Sequence, residues 1–249
     1  MKRFTLWLSL LLVASSLHAQ QPDPKDILRR MEDKSRGESA EMTMKMTVVR
    51  PRFTREMKMK SWSKGQQYSL VLLQEPVRDK GTVFLKRQKE IWNYVPSVDR
   101  MIKLPPSMMS QSWMGSDFSN DDLVRESSVI NDYTHKILRS ETKEGLDCWV
   151  IEMLPKAGSS VVYSKVVVWV SKADYYHLRT ENYGDKGELV STMVMSDIKK
   201  LGNRTLPSRM ELTPMDKKGH KTIMVYEAAQ FDVPISEGFF SVQNLKNIR

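Results

Sequence analysis

Cysteine is almost absent from this chain of 249 residues, which contains a single Cys. One thiol cannot form an internal disulfide framework, and it excludes any Cys-rich zinc or iron–sulfur site. Cys148 lies in the apolar run Leu146–Ile151, which predicts a buried thiol in the core rather than a reactive one. With 40% hydrophobic and 28% charged residues, the chain can bury a sizeable core and is not expected to be disordered.

Catalytic motifs are missing as well. The sequence contains no GxSxG, no Gly-rich phosphate loop, no HExxH and no CxxC. His135, His177 and His220 fall in separate predicted strands or a turn, and nothing in the sequence links them to a nucleophile. The acidic residues of segment 117–122 lack the ligand spacing and turn glycine of a calcium-binding EF-hand loop, which favours helix capping. We therefore expect a protein that is not an enzyme and uses no metal or other cofactor.

Long apolar runs are confined to the first twenty residues. Lys2 and Arg3 precede the apolar run Phe4–Ala14, and small residues follow up to Ala19. This pattern predicts a secretory signal peptide over residues 1–19, which is too short for a bilayer span of about 20 apolar residues. Ser16 is a second candidate for the cleavage position. We expect the remaining 230 residues to be soluble and exported.

Alternation of apolar and polar residues dominates the rest of the chain. A single amphipathic helix is predicted over Asp23–Arg36 and ends at Gly37. Turn signals such as Lys143-Glu144-Gly145 then separate segments with a period of two. These predicted strands cover residues 42–48, 56–60, 67–73, 82–87, 90–95, 100–104, 134–142, 148–154, 164–170, 177–183, 189–198, 209–214 and 222–227. Strands at this spacing predict one mostly β domain built as an antiparallel meander.

Methionine is abundant, with 17 residues in the chain. Met42, Met44 and Met46 share one face of a predicted strand, and Met57 and Met59 share one face of the next. This spacing fits a Cu(I) site, because thioether sulfur is a soft ligand, and it also fits a flexible apolar surface. The neighbouring residues are aromatic and aliphatic, without a nearby His or Cys, which favours a lined apolar cavity over copper. Ordinary strand core remains the competing interpretation, although uniquely packed cores use methionine sparingly.

One segment interrupts the strand pattern. Residues 105–118 form a long aperiodic apolar stretch that carries three Met, one Trp and one Phe. Ser119 and Asp122 follow with the spacing of a capping box, which predicts a short helix from Asn120 to about Arg125. Long loops within compact domains are often lids or binding loops, so we expect this segment to cover an apolar surface.

The net charge of +9, or +7 after removal of the signal peptide, is spread along the chain. Basic residues mostly alternate with apolar ones, as on a solvated outer strand face, which argues against nucleic-acid binding. The charge favours anionic lipid headgroups or an acidic docking surface. Arg50, Arg52 and Arg55 gather at one predicted hairpin end and are candidates for headgroup or partner docking. A plain solubilising role fits them equally well.

The stretch Trp92–Pro106, continued by Met108–Leu123, resembles the outer-membrane lipoprotein-sorting family, the LolA-like proteins. Further matching pieces are Glu75–Thr82, Asp147–Trp149 and Leu206–Glu211. The Trp113–Leu123 motif is typical of one branch, which often accompanies inner-membrane exporters of the RND/MMPL type. The resemblance covers essentially the whole chain after the signal peptide, so we expect residues 20–249 to form a single LolA-like half-barrel domain.

The resemblance implies a curved antiparallel sheet, an unclosed (half) β-barrel, with helices and a loop that lid a hydrophobic cavity. It implies a periplasmic carrier that shuttles lipid or lipid-modified cargo between the inner and outer membranes. The implied partners are acyl chains of lipid or lipoprotein, an RND/MMPL-type transporter and an outer-membrane acceptor. No residue corresponds one for one to the cargo-gating arginine of the well-known lipoprotein carrier, so a free lipid or other acyl compound stays open as the cargo.

Alternation and resemblance together predict the site residues. The concave face is expected to present Met42, Met44, Met46, Met57, Met59, Leu70, Leu72, Trp92 and Tyr94. The lid is expected to contribute Met108, Met109, Trp113, Met114, Gly115, Phe118 and Leu123. Gly115 is the candidate flexible point of the lid.

Two other functions stay open. The related fold also occurs in the periplasmic sigma-factor regulator RseB, which makes a sensor module the first alternative, although no second domain is seen that would act as its effector. The second alternative is a Met-rich copper-binding protein. Replacement of Met42, Met44 and Met46 by Leu separates copper from cargo, because Leu keeps an apolar surface but removes the thioethers.

Overall fold

The structure is a computed structural model that describes residues 21–88, 90–109, 111–120, 122, 129–159 and 161–248. The predicted signal peptide, most of the predicted helix that begins at Asn120, and the predicted lid residue Leu123 lie outside the described residues. Within the described part of the chain, no helix is long and apolar enough to cross a membrane.

The segments that alternate with period two form strands. In chain order they are β1 Ser39–Arg50, β2 Phe53–Lys64, β3 Tyr68–Glu75, β4 Val83–Arg87, β5 Glu90–Val95, β6 Arg100–Lys103, β7 Tyr133–Lys143, β8 Leu146–Pro155, β9 Lys165–Ser171, β10 His177–Tyr183, β11 Leu189–Leu201, β12 Arg204–Pro214 and β13 Lys221–Phe231. The predicted strands are confirmed, with the largest difference at the start of β12. That strand includes Pro207, which pairs with Ile198 on β11, next to Asp197, where φ is 55°.

All the strands belong to one antiparallel sheet in the order β6-β5-β4-β3-β2-β1-β13-β12-β11-β10-β9-β8-β7. Two meanders, β1–β6 and β7–β13, are joined where β1 pairs with β13. The described strands β6 and β7 form the two outer edges, so the sheet does not close into a barrel. The predicted mostly β, unclosed half-barrel is therefore confirmed.

One α-helix, α1 (Pro24–Arg36), packs against the inner face of the sheet. The Asp23 side chain accepts a hydrogen bond from the Lys25 backbone N–H at 2.9 Å, and Gly37 ends the helix with φ of 68°. Its apolar stripe packs on β7, β8 and β9 in one buried cluster, formed by Ile27, Leu28, Met31, Tyr133, Ile151, Met153, Val166, Val168 and Val170. The helix therefore forms one wall over the concave side of the second meander.

The C-terminal segment covers the outer face of the first meander. Two short 3₁₀ turns, Glu237–Phe240 and Val242–Lys246, follow β13. Phe240 and Leu245 are completely buried, and the Phe240 ring stacks on Tyr68 with 5.5 Å between ring centroids. This cover is not evident from the sequence, because the tail has no strand or helix periodicity.

Four predicted cavity residues belong to that outer face, which corrects the sequence-based prediction. The inward-facing Met59 pairs with Leu73 and Ser61 pairs with Val71, so the intervening residues of β3 face outward. The outward-facing residues are Leu70, Leu72, Trp92 and Tyr94, and they pack in the cluster that holds Phe240 and Leu245. Residues 70–73 are all apolar, so alternation leaves undetermined which of them faces the cavity.

Candidate functional site

A cavity of about 430 Å³ lies between α1, the inner face of the sheet and the loop of residues 105–120, called the lid loop below. This volume falls in the range of about 300–1,000 Å³ that is typical of small-molecule sites. Methionines from the helix and from four strands line it, namely Met31, Met42, Met44, Met193, Met195, Met210 and Met224. The wall is therefore apolar and made of flexible side chains.

A row of five methionines crosses five neighbouring strands on the inner face. Met195 on β11 pairs with Met210 on β12, and Met210 pairs with Met224 on β13. Met224 then pairs with Met46 on β1, and Met46 with Met57 on β2. Directly opposite residues of adjacent strands have Cβ atoms about 4.5–5.5 Å apart. We call these five residues the methionine row. Their thioethers form a continuous strip from the cavity wall to the residues that pack beneath the lid loop.

The structure separates the five predicted methionines into two groups. Met42 and Met44 line the cavity. Met46, Met57 and Met59 are at most 1% exposed and pack beneath the lid loop instead. Sequence reasoning did not single out four cavity residues on the second meander, Met193, Met195, Met210 and Met224. The same alternation was present there, for example in Met193-x-Met195, and it gives the signal that would have found them.

The lid loop closes over the cavity with aromatic side chains. Trp113 is 1% exposed and meets the Phe84 ring edge to face, at 5.4 Å between centroids and 71° between planes. The Trp113 backbone N–H donates to the Phe118 carbonyl at 2.7 Å, and both side chains line the cavity. The indole N–H of Trp113 has no hydrogen-bond partner among the described residues. The loop is thus an apolar lid with one unused buried donor.

The remaining predicted lid residues have different surroundings. Met114 packs in the same cluster as Trp113, whereas Met109 packs against Ile91 and Leu104. The Met108 carbonyl accepts a hydrogen bond from Asn120 Nδ2 at 2.9 Å, which ties the two ends of the loop together. Gly115 is exposed and adopts φ of 72°, a conformation that favours glycine.

A nearly buried ion pair holds the lid loop against the sheet. Arg50 Nη1 lies 3.0 Å from Asp117 Oδ2, and the two side chains are 11% and 5% exposed. Arg50 Nη2 also donates to the Gly115 carbonyl at 2.8 Å. Thr222 Oγ1 donates to Asp117 Oδ2 at 2.7 Å and accepts from the Asp117 backbone N–H at 2.9 Å. Both side chains of the pair therefore make contacts that hold the lid loop against the sheet.

Arg55 supports the same contact from the neighbouring strand. Its Nη1 donates to the Met114 carbonyl at 3.2 Å, and its Nη2 lies 2.8 Å from Asp79 Oδ2. The prediction that Arg50 and Arg55 are docking residues is corrected, because these side chains point inward beside Val48 and bind the lid loop. Arg52, at the hairpin tip, is exposed.

The predicted capping box is confirmed. The Ser119 backbone N–H and hydroxyl both donate to Asp122 Oδ2, at 2.7 and 2.8 Å, and the Asp122 N–H donates to Ser119 Oγ at 3.1 Å. Asp in the place of the usual Glu or Gln therefore still makes the reciprocal bonds.

Reactive groups are dispersed over the described part of the chain. No group of three or more His, Cys, Asp or Glu residues is arranged there to hold a metal ion. His135 Nε2 lies 2.5 Å from the Val129 carbonyl oxygen, and His177 Nε2 lies 2.6 Å from Thr180 Oγ1. Cys148 is fully buried, as predicted, and burial raises the pKa of its thiol.

Comparison with known proteins identifies a family for this chain. A family model described as "uncharacterized protein" matches residues 65–247, well over half of the sequence. The chain belongs to that family. No curated protein matches it by sequence. A DUF1329 family protein from Desulfovibrio piger ATCC 29098 is similar in structure, with a TM-score of 0.80 and 25% identity over 90% of this chain and 100% of that one.

Two further crystal structures have a similar fold. A putative outer membrane lipoprotein-sorting protein domain from Vibrio parahaemolyticus gives a TM-score of 0.78 at 25% identity, over 90% of this chain and 98% of its own. The LolA superfamily protein NE2245 from Nitrosomonas europaea gives a TM-score of 0.74 at 22% identity, over 88% of this chain and 98% of its own. The resemblance to LolA-like proteins predicted from the sequence is confirmed.

Proposed function

We propose that this chain is a periplasmic carrier that holds lipid or lipid-modified cargo in the methionine-lined cavity and shuttles it between the inner and outer membranes. One observation carries the proposal: an apolar cavity lies beneath an aromatic lid that a buried ion pair keeps closed. The likeness to a putative lipoprotein-sorting domain supports this class of cargo. The signal peptide predicted over residues 1–19 supports the periplasmic location.

Burial of the acyl chain supplies the binding free energy. An acyl chain that leaves water gains about 0.8 kcal/mol per CH₂, so a chain of about fourteen carbons gains roughly 10 kcal/mol before ordering costs. This gain is sufficient for carriage without covalent chemistry, and we propose that the chain is not an enzyme. Because methionine side chains adapt their shape, the wall tolerates chains of different length and branching.

Release requires the lid to open. Opening separates Arg50 from Asp117 and exposes Trp113 and Phe118 to water, which is unfavourable for an isolated protein. A partner that covers these aromatic side chains lowers that cost and shifts the population toward the open form. We propose an RND/MMPL-type transporter in the inner membrane and an acceptor in the outer membrane as these partners, on the basis of the sequence resemblance.

Polar substitution of the cavity wall tests the proposal. Met42 and Met210 line the cavity and are half-buried, so Gln at both positions keeps the side-chain length but removes apolar surface. We expect the double variant to bind a fluorescent acyl probe about tenfold or more weakly, since each lost apolar side chain is worth about 1–2 kcal/mol. The matched control is Met215→Gln, because Met215 is 44% exposed and lies outside the cavity. Equal affinity in both variants contradicts the proposal.

The two alternative functions, a sensor module and a copper-binding protein, gain no specific support. None of the three similar structures reported above is described as a regulator. Met46, Met57 and Met59 pack in one apolar cluster with Trp113 and Phe84.

A further inference from the structure

Three hairpin tips lie around the lid loop. They are residues 51–53 between β1 and β2, residues 76–82 between β3 and β4, and residues 215–220 between β12 and β13, and the structure describes all of them. The strands that carry the first and third tips are neighbours, because β1 pairs with β13. A Cβ atom added to Gly219 would lie 3.4 Å from Pro51 Cγ, so these two tips are in contact.

Two arginines connect the tips to the lid loop. Arg50, which precedes the first tip, donates to the Gly115 carbonyl at 2.8 Å. Arg55 donates to the Met114 carbonyl at 3.2 Å and, from its other terminal nitrogen, to Asp79 of the second tip at 2.8 Å. Gly115 itself is exposed. The three tips and Gly115, which we call the rim, therefore form one surface at the lid end of the sheet.

Each of the three tips exposes an apolar side chain. Phe53 is 58% exposed, Val77 is 89% exposed and Met215 is 44% exposed. Phe53 pairs with Arg50 and so lies on the inner face of the sheet, beside the arginine that binds the lid loop. A single exposed apolar residue is common on protein surfaces and needs no explanation. Here three such residues, from tips that are far apart in sequence, occur on the surface that borders the lid.

Basic residues flank these apolar side chains, and all of them are exposed. Asp79 already binds Arg55, and its longer contact with Arg78, at 3.7 Å, leaves the Arg78 side chain 87% exposed. Each tip contains more basic than acidic residues, namely Arg52 in the first, Arg78 and Lys80 with Asp79 in the second, and Lys217 and Lys218 with Asp216 in the third. The rim therefore combines protruding apolar residues with long basic side chains.

This combination fits an anionic lipid surface. Apolar side chains enter the boundary between headgroups and acyl chains, while neighbouring Lys and Arg side chains extend to the phosphates. Each basic residue near an anionic bilayer adds a favourable contribution that salt weakens. The net charge of the whole chain, +9, has the same sign.

We propose that the rim docks this protein on the surface of an anionic bilayer, with Phe53, Val77 and Met215 in the headgroup region and the basic residues of the tips against the lipid phosphates. The inference goes beyond the proposed carrier function, because no residue of the three tips lines the cavity. Docking in this orientation brings the lid loop to the bilayer. An acyl chain that leaves the cavity there enters lipid over a short path through water.

Co-sedimentation with vesicles tests the inference. The protein is mixed with vesicles of phosphatidylglycerol or of phosphatidylcholine, at low and at high salt. We expect it to bind phosphatidylglycerol at least about tenfold more tightly, and the difference to shrink as salt screens the charges. Equal binding to both lipids, or binding to neither, overturns the inference. In the second case the rim would be left to a protein partner.

Removal of the apolar side chains tests their part in docking. We expect Phe53→Ser with Val77→Ser to weaken binding to phosphatidylglycerol vesicles by about tenfold or more, because two apolar side chains no longer leave water. The matched control is Val98→Ser with Val162→Ser, since these residues are 61% and 64% exposed and lie outside the rim. The control should bind as the wild type does. Equal loss in both double variants contradicts a role of the rim.

Removal of two positive charges tests the electrostatic part. Lys217→Gln with Lys218→Gln is expected to weaken binding to phosphatidylglycerol vesicles by about tenfold or more. The matched control, Lys199→Gln with Lys200→Gln, neutralises two adjacent exposed lysines of β11 and gives the same net charge. If both variants lose affinity equally, the total charge and not the rim attracts the protein, which overturns the inference.

Failure of docking is distinguishable from failure of the carrier function. The Phe53→Ser, Val77→Ser variant should keep the wild-type affinity for a fluorescent acyl probe in solution. The Met42→Gln, Met210→Gln variant should keep the wild-type binding to vesicles. Loss of vesicle binding in that cavity variant would show that lipid is held through the cavity, and it overturns the docking inference. A probe that does not bind the wild-type protein overturns the carrier function, whereas vesicle binding through the rim would still support docking.

Discussion

At the scale of single residues, the ion pair between Arg50 and Asp117 holds the lid loop closed. Their ion pair is almost completely buried, and the Gly115 carbonyl and the Thr222 hydroxyl complete its hydrogen bonds. Removal of one partner from such a pair leaves an uncompensated buried charge, which costs about 3–5 kcal/mol. Opening of the lid would return Arg50 to water and so relieve that cost.

Asp117→Asn is therefore expected to open the lid. The variant leaves the Arg50 guanidinium without its counter-charge, so Trp113 becomes exposed and iodide quenches its fluorescence more strongly. A Trp113→Phe background identifies the Trp113 signal among the five tryptophans that follow the predicted signal peptide. Asp185→Asn, in an exposed turn, is the matched control. Unchanged quenching in Asp117→Asn would show that the ion pair does not hold the lid.

Tyr183 gives the stability a defined pH dependence. Its hydroxyl donates to Glu181 Oε2 at 2.7 Å, and this hydrogen bond, together with burial, raises the pKa of Tyr183 to about 12. The unfolded chain loses this proton near the ordinary tyrosine pKa of about 10. The contribution of this hydrogen bond to the free energy of unfolding is therefore complete below pH 10 and is lost as the pH rises through 12. We expect the free energy of unfolding in urea to fall less steeply over this pH range for Tyr183→Phe than for the wild type. Parallel curves for the two proteins would contradict the assignment.

At the scale of elements, the sequence predicts where strands occur better than which way they face. Period-two alternation identifies the thirteen strands of the described residues, and the Asp23 cap and the Gly37 stop mark the helix α1. Alternation leaves the face undetermined in β3, where four consecutive apolar residues occupy positions 70–73. The contact that covers the outer half of that strand comes from the C-terminal tail, which is distant in sequence and lacks periodicity.

Phe240→Ala tests the assignment of the outer face. Phe240 is completely buried against the outer side of β3 and β4, so its truncation is expected to lower the free energy of unfolding by about 3–5 kcal/mol. The acyl probe should still bind the folded fraction with an affinity close to that of the wild type, because Phe240 lies outside the cavity and Tyr68 is the one buried residue of its described cluster that lines it. Urea unfolding and probe titration measure the two effects separately. Loss of probe affinity in fully folded protein would place the tail in the site.

At the scale of the whole molecule, the site depends on the joining of the two meanders. The pairing of β1 with β13 places Met46 beside Met224, which lie near opposite ends of the chain. Local composition and the family resemblance predict an apolar cavity and its lid. They do not predict that the first and last strands pair, because alternation carries no information about strand partners. Met193-x-Met195 has the same alternation as Met42-x-Met44, but alternation alone does not indicate that β11 and β1 face one cavity.

The central claim is that the cavity carries an acyl cargo, and native mass spectrometry of the protein purified from the periplasm tests it most directly. The account predicts adducts of several hundred daltons that release acyl species on denaturation and that decrease in the double Met42→Gln, Met210→Gln variant. A bare protein that also fails to bind an added acyl probe, or an adduct with the mass of copper, would contradict it.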